Sequence, residues 1–415
     1  MSLVQTYSAW LLSFNREEVR EEELYRNHLG YEDLFRGIER YSHANRKRAH
    51  AKIRVAYISP DFRAHVMNHF CWPFLATYDR EQFEVYVYSI GKTDQYTETF
   101  KTLVDCWRDV QGRPYEEIAA AVYRDQVDIL FDLAGHTNAT GLPVLAWKPA
   151  PVQISGLGYM ATTGLSTVDC FLTDSFVDPP GLHEHLFVEK LIRIQSQFCY
   201  NGAVNLPASQ GAPGKERGWI LFASFNQYQK IQDEMLLLWI EILRQTPNAR
   251  LLVKASVLSD PEMAMTAYRR FQALGFDMSR VMFEPGTHDY MDRLLDVDII
   301  LDTYPYPGGG TTCDALYMGV PVVTRYSGRR STRFSYGILS AVGLQELAAE
   351  TPETYVERAV GLAHDMELLD LLHKNLRPMM QASPLMDPTG YIREVEERYR
   401  EIWREYMERS EVQDG

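Results

Sequence analysis

The feature that most constrains this chain is an alternation. Short, nearly continuous apolar runs are separated by longer stretches with helical spacing, and the whole pattern occurs twice. In the first half the runs are "IRVAYIS" (53–59), "FEVYVYS" (83–89), "VDILFDL" (127–133), "PVQIS" (151–155) and "VDCFLTD" (168–174). Helix-like segments such as "YEEIAAAVYRD" (115–125) lie between them. Strands apolar on both faces must be covered on both faces, and interleaved helices supply that cover for a parallel sheet. A stretch rich in Gly, Pro and small polar residues, "NLPASQGAPGKERG" (205–218), breaks the pattern and reads as a linker. The alternation then restarts with "WILFASF" (219–225), "ARLLVKA" (249–255), "RVMFEP" (280–285), "DIILDT" (298–303) and "PVVTRY" (321–326). The amphipathic segment "DEMLLLWIEILRQTP" (233–247) lies between the first two of these. The expected architecture is α/β, with two doubly wound, Rossmann-like domains over 51–204 and 219–388 facing a cleft. A helical lead (1–50) precedes them. A long charged helix follows (389–415), with Ile392, Val395, Tyr399, Ile402 and Trp403 spaced to pack one face on the body.

At 415 residues the chain is too long for one small core and suits two domains. No run of 18 or more apolar residues occurs, so no membrane span is expected. The opening "MSLVQTYSAWLLSFNREEV" has no basic segment before its apolar stretch and does not read as a signal peptide. The five cysteines are scattered and include no C-x-x-C pair, which fits a reducing cytosol better than a disulfide framework or a zinc knuckle. A net charge of −14 argues against nucleic acid as the main partner. The basic run "NRKRAHAKIR" (45–54) is the exception and reads as a solvated linker.

The chemistry-bearing residues cluster just after the apolar runs. "YPYPGGGTTCDALYMGVPVVT" (304–324) puts three glycines between a strand and a helix start. Glycines let backbone N–H groups approach an anion closely, and a helix N-terminus favours negative charge. Thr311 and Thr312 add hydroxyls, and Asp314 suits either dipole capping or ribose binding. A plain strand–turn–helix connection explains the same glycines. "SFNQYQK" (224–230) follows the first strand of the same half, with Lys230 as a point charge for phosphate and Gln227 as a reader of a base edge. "EPGTHDY" (284–290) brings Thr287 and Tyr290, the latter an aromatic able to stack on a base or sit half-buried. In the first half "SPDFRAHVMNHF" (59–70) carries His65, a residue suited to proton transfer, with His69 one turn on. The Glu that zinc proteases place beside such a histidine is missing. "DLAGHTNATG" (132–141) brings His136 to a second strand end. "HEH" (183–185) reads as surface. "DVD" (296–298) matches a metal-binding D-x-D, but it stands at a strand entry and reads as a polar strand start.

Together these blocks resemble the catalytic region of the O-linked N-acetylglucosamine (O-GlcNAc) transferase family, particularly its bacterial members. The most distinctive are "PAPVQISGLGY" and "FASFNQYQKI", and the resemblance spans roughly residues 50–405. It implies a GT-B fold, with the second domain binding UDP-sugar and the first serving the acceptor. It implies transfer of a sugar, GlcNAc, to Ser or Thr hydroxyls of proteins, with inversion and without a metal or other cofactor. By motif match Lys230 lies on the diphosphate and Gln227 beside the uridine. Thr287, Tyr290, Gly309, Gly310, Thr311, Thr312 and Asp314 complete the UDP-sugar site. His65 falls near the acceptor hydroxyl, and His136 and Tyr159 on the sugar or acceptor side. Departures exist: Tyr290 stands where the family often has His, and "GGGTT" where it often has His-Thr-Thr. No tetratricopeptide pattern is legible before the first strand, which leaves acceptor recruitment open. Other readings are transfer to Asn or to a small molecule, and a catalytically silent UDP-sugar-binding scaffold.

Overall fold

The computed structural model describes residues 2–44, 50–137, 139–202 and 206–413, with side chains to residue 409. The backbone divides into two compact units, Gly202–Met386 and a unit made of Met1–Asn201 with Asp387–Gly415.

The first unit holds seven strands: β1 (Ile53–Ser59), β2 (Phe83–Ser89), β3 (Cys106–Asp109), β4 (Ile129–Asp132), β5 (Val152–Gly156), β6 (Cys170–Asp174) and β7 (Lys190–Ile194). They form one sheet in the order β3-β2-β1-β4-β5-β6-β7, and neighbouring strands pair in parallel. Two helices, α1 (Leu3–Ser13) and α2 (Glu21–Leu29), lead the chain. Ser2 starts α1 with a capping box closed by Gln5. Helix α3 (Asn68–Ala76) follows the loop after β1, and α4 (Tyr115–Arg124) crosses from β3 to β4.

The second unit holds β8 (Leu221–Ser224), β9 (Arg250–Ala255), β10 (Val281–Pro285), β11 (Ile299–Leu301), β12 (Val322–Arg325) and β13 (Ala348–Ala349). Its order is β10-β9-β8-β11-β12-β13, again with parallel neighbours. Helix α5 (Asp233–Gln245) links β8 to β9 and buries Trp239 completely. Helix α6 (Gly310–Tyr317) starts in the glycine stretch.

The last helix, α7 (Pro388–Gln413), belongs to the first unit. All five residues expected on its packed face are buried. Tyr399 sets its hydroxyl 3.3 Å from that of Tyr57 on β1, and Tyr391 donates to the Gln197 carbonyl at 3.1 Å.

Three strands escape the apolar-run pattern: β3, β7 and β13, each at a sheet edge. An edge strand pairs on one side only and carries more polar residues; β3 reads Cys-Trp-Arg-Asp and is partly exposed. The Gly/Pro stretch at 205–218 is no free tether. Arg377 donates to the Leu206 and Pro207 carbonyls, and a short helix spans Pro213–Arg217. Asn205 and residues 45–49 of the basic run lie outside the described residues. In the rest of that run, Arg54 pairs with Glu84 at 2.8 Å and His50 lies 3.4 Å from Asp128. Among the described residues no helix is long and apolar enough to cross a membrane.

Candidate active site

Each sheet grows outward from a central pair, β1/β4 in one unit and β8/β11 in the other. At such a switch point the two outgoing loops part to opposite faces and leave a crevice at the strand carboxyl ends, where doubly wound sheets take ligands. The sequence clusters fall at these ends. In the second unit β8 runs into residues 226–230 and β11 into residues 302–310.

Lys230 ends a 3-10 turn, Tyr228–Lys230, that Gln227 opens as an exposed residue. Its Nζ donates to the Pro307 carbonyl at 2.9 Å and lies 3.7 Å from the centre of the Tyr306 ring. A charged hydrogen bond and a cation–π contact therefore tie the ammonium of one switch loop to the other.

Asp302 is buried at the exit of β11. Its Oδ1 accepts from Thr303 N–H at 2.9 Å, Gly308 N–H at 2.8 Å and Asn226 Nδ2 at 2.9 Å. Its Oδ2 accepts from the Thr324 hydroxyl at 2.7 Å. Gly308 is sterically required here, since a Cβ would stand 2.5 Å from Thr312 Oγ1 and 2.7 Å from Thr311 Oγ1. A Cβ on Gly309 would meet nothing within 4 Å. The turn is thus crowded behind Gly308 and open at Gly309. Helix α6 makes its first backbone bond from Cys313 to the Gly309 carbonyl, at 3.1 Å. The N–H groups of Gly310, Thr311 and Thr312 precede that bond and are donors the helix itself does not use.

The two threonine hydroxyls are bonded within the protein. Thr311 donates to Asn226 Oδ1 at 3.2 Å. Ser335 Oγ donates to the Gly308 carbonyl at 3.0 Å, so the 2.8 Å contact between Ser335 and Thr312 takes its proton from Thr312. Both hydroxyl protons are committed inside the protein, and the donors left for an anion are backbone N–H groups. Tyr290 donates to Asp314 Oδ2 at 2.6 Å. Burial, then Asp314, pushes its phenol well above the usual tyrosine range. Thr287 is exposed and bonds Asp289.

In the first unit His65 lies in the loop after β1, its Nδ1 3.4 Å from Asp61 Oδ1. Burial holds the His65 pKa below the ordinary imidazole value, against the pull of Asp61. His136 and Tyr159 are interior residues, 0% and 1% exposed. His136 Nδ1 contacts Ser8 Oγ of α1 at 3.0 Å, and its Nε2 contacts the Thr163 carbonyl at 2.8 Å. His28 of α2 sets Nε2 2.8 Å from the Tyr159 hydroxyl. Both ring nitrogens of His136 are engaged, and the pair joins the leading helices to the loops after β4 and β5. Burial pushes His28 down to about 4 and Asp132, at the end of β4, up to about 6.

In "HEH", Glu184 and His185 are exposed as expected and only His183 departs from the surface reading. His183 is buried, with Nδ1 2.8 Å from Asp178 Oδ1. In "DVD", Asp298 accepts the Leu221 and Gly214 N–H groups at 2.8 and 2.6 Å and pairs with Arg217, so its carboxylate is spent on holding β8. Among the described residues no group of three or more His, Cys, Asp or Glu is placed to hold a metal ion. Residue type alone does not single out Asn226, Asp302 and Tyr306; their position just after strand ends is the one sequence signal they carry.

Two parallel-sheet units of one topology are the pattern of the GT-B fold. An O-GlcNAc transferase mutant from Thermobaculum terrenum has this fold, with a TM-score of 0.90 and 30% identity over 99% of this chain and 79% of that one. The chain belongs to glycosyl transferase family 41, whose model matches residues 35–205 and 209–395. It is 35% identical over 410 residues to the probable UDP-N-acetylglucosamine–peptide N-acetylglucosaminyltransferase SPINDLY of Petunia hybrida. That match covers 96% of this chain and 44% of the Petunia protein. It is 28% identical over 367 residues to the similarly named SEC of Arabidopsis thaliana, covering 85% of this chain and 37% of that protein. The chain thus spans less than half the length of these plant relatives.

Proposed function

We propose that this chain transfers a sugar, GlcNAc, from UDP to Ser or Thr hydroxyls of protein acceptors, with inversion and without a metal. The observation that carries the donor half is the Lys230 ammonium, anchored on Pro307 and Tyr306 immediately before the glycine turn. A diphosphate seated there meets a fixed cation and the unused N–H groups of α6. Such preorganised donors stabilise charge that grows on a leaving phosphate without reorganising during the reaction. They perform the task that a divalent ion performs elsewhere. Gln227, exposed at the mouth of the same loop, and Asp314, held by Tyr290, are the groups for base and ribose.

The acceptor oxygen bonds to the anomeric carbon as the bond to UDP breaks on the opposite face. UDP leaves with the electron pair, and the acceptor proton passes to a base. His65 suits that role, since an imidazole with a lowered pKa is neutral near pH 7. The names of the relatives support a peptide acceptor.

The test is incubation of the pure chain with a panel of UDP- and GDP-sugars and a lysate, followed by mass mapping of modified residues. GlcNAc on Ser or Thr from UDP-GlcNAc is the expected result. Turnover of a GDP-sugar alone, or modification of Asn, refutes the donor or acceptor assignment. UDP binding with neither transfer nor hydrolysis refutes catalysis and leaves a scaffold.

A further inference from the structure

We infer that Asn226 and Asp302 are the positioning residues of the donor loop, acting on the ligand through Thr311 and the glycine turn. The inference rests on the UDP-donor reading above. Asp302 joins three separate pieces of chain: the exit of β8 through Asn226, its own loop through Thr303 and Gly308, and β12 through Thr324. Asn226 then carries the link onward, because the carboxylate dictates which way its amide faces. Nδ2 must point to Asp302, so Oδ1 points to Thr311 and takes its hydroxyl proton. The result is a directed relay, Thr311 to Asn226 to Asp302, ending on a buried carboxylate that also holds the Gly308 N–H.

This arrangement has two consequences at the anion site. It fixes the first turn of α6 against the end of β8, which sets where the open N–H groups aim. It also turns the Thr311 hydroxyl proton inward, so that the loop presents backbone donors and oxygen lone pairs. Asn226 is 3% exposed and Asp302 1% exposed. Neither has surface to offer a ligand, and their influence must pass through Thr311 and the turn.

The experiment measures UDP affinity by calorimetry, donor KM and kcat, and thermal melting for wild type, Asn226→Ala, Thr311→Val, Thr311→Ser and the double variant Asn226→Ala/Thr311→Val. Each of the two cutting variants should weaken UDP about 10- to 100-fold, as losing a bond that orders a charged site does. The double variant should lose no more than the worse single one, because both cut the same relay. Thr311→Ser keeps the hydroxyl and should stay within about threefold of wild type, a rescue that a packing role alone would not give. Additive losses, or UDP affinity unchanged in Asn226→Ala, overturn the relay. Should Asn226→Ala fail to fold, the Thr311 pair decides: equal affinity for Val and wild type overturns it. A wild-type chain that binds no UDP at all refutes the donor reading instead, which separates the two failures.

Discussion

Replacing Lys230 by Ala separates what the lysine does for the fold from what it does for the reaction. In the resting protein its Nζ donates to the Pro307 carbonyl at 2.9 Å and lies 3.7 Å from the centre of the Tyr306 ring. Losing a charged donor to a buried carbonyl costs about 1–3 kcal/mol, and the ring contact adds about 0.5–1 kcal/mol. Together they amount to roughly 1.5–4 kcal/mol of stability, which for a unit of this size lowers the melting temperature by about 3–16 °C. The reaction should suffer more. A donor aimed at developing phosphate charge is worth about 2–4 kcal/mol in the transition state, so kcat should fall about 30- to 1000-fold. The assay is single-turnover release of UDP from UDP-GlcNAc, alongside UDP affinity by calorimetry and a melt. If kcat stays within about fivefold of wild type, the lysine is not stabilising the transition state. If kcat/KM falls only as far as UDP affinity falls, the lysine binds donor and product alike and the mechanism is refuted.

Gly308→Ala and Gly309→Ala should part company. At Gly308 the new methyl collides with both threonine hydroxyls, so stability and UDP affinity fall together. At Gly309 it meets nothing in the protein, so the melting temperature holds while UDP binding weakens; equal UDP affinity in that variant denies that the diphosphate sits there. His65→Ala should lower transfer more than it lowers UDP binding, and the wild-type rate should fall as pH drops and the imidazole is protonated, with a midpoint below its ordinary value. For His28 the folded pKa is about 4, below the unfolded value. Its stabilising contribution is therefore present above about pH 6.5 and is lost as pH falls toward 4, about 2 kcal/mol of it by about pH 5. Asp132, raised to about 6, runs the opposite way and gains as pH falls. Urea melts of wild type and His28→Gln at several pH values isolate the histidine, since Asp132 is common to both. Parallel pH curves would rule it out.

Much of the architecture was legible because buried parallel strands need near-continuous apolar runs, and runs such as "IRVAYIS" and "ARLLVKA" announce themselves. Of the four edge strands only β10 was legible, as "RVMFEP". β3, β7 and β13 pair on one side and need no such run. Lys230, Gln227 and the glycine stretch stand out in the sequence because each follows a strand, and strand order places their two loops at one switch point. The sequence by itself determined which residues could serve an anion and a proton, through residue type and position after a strand. It could not determine which of those groups remain available, because that depends on partners distant along the chain. Asn226 takes the Thr311 proton from 85 residues away. Ser335, held by Gly308, takes that of Thr312. Ser8 and Thr163 occupy both nitrogens of His136, the first across 128 residues. A hydrogen bond depends on geometry at the scale of an ångström, and only the packed tertiary structure brings such remote groups to that range.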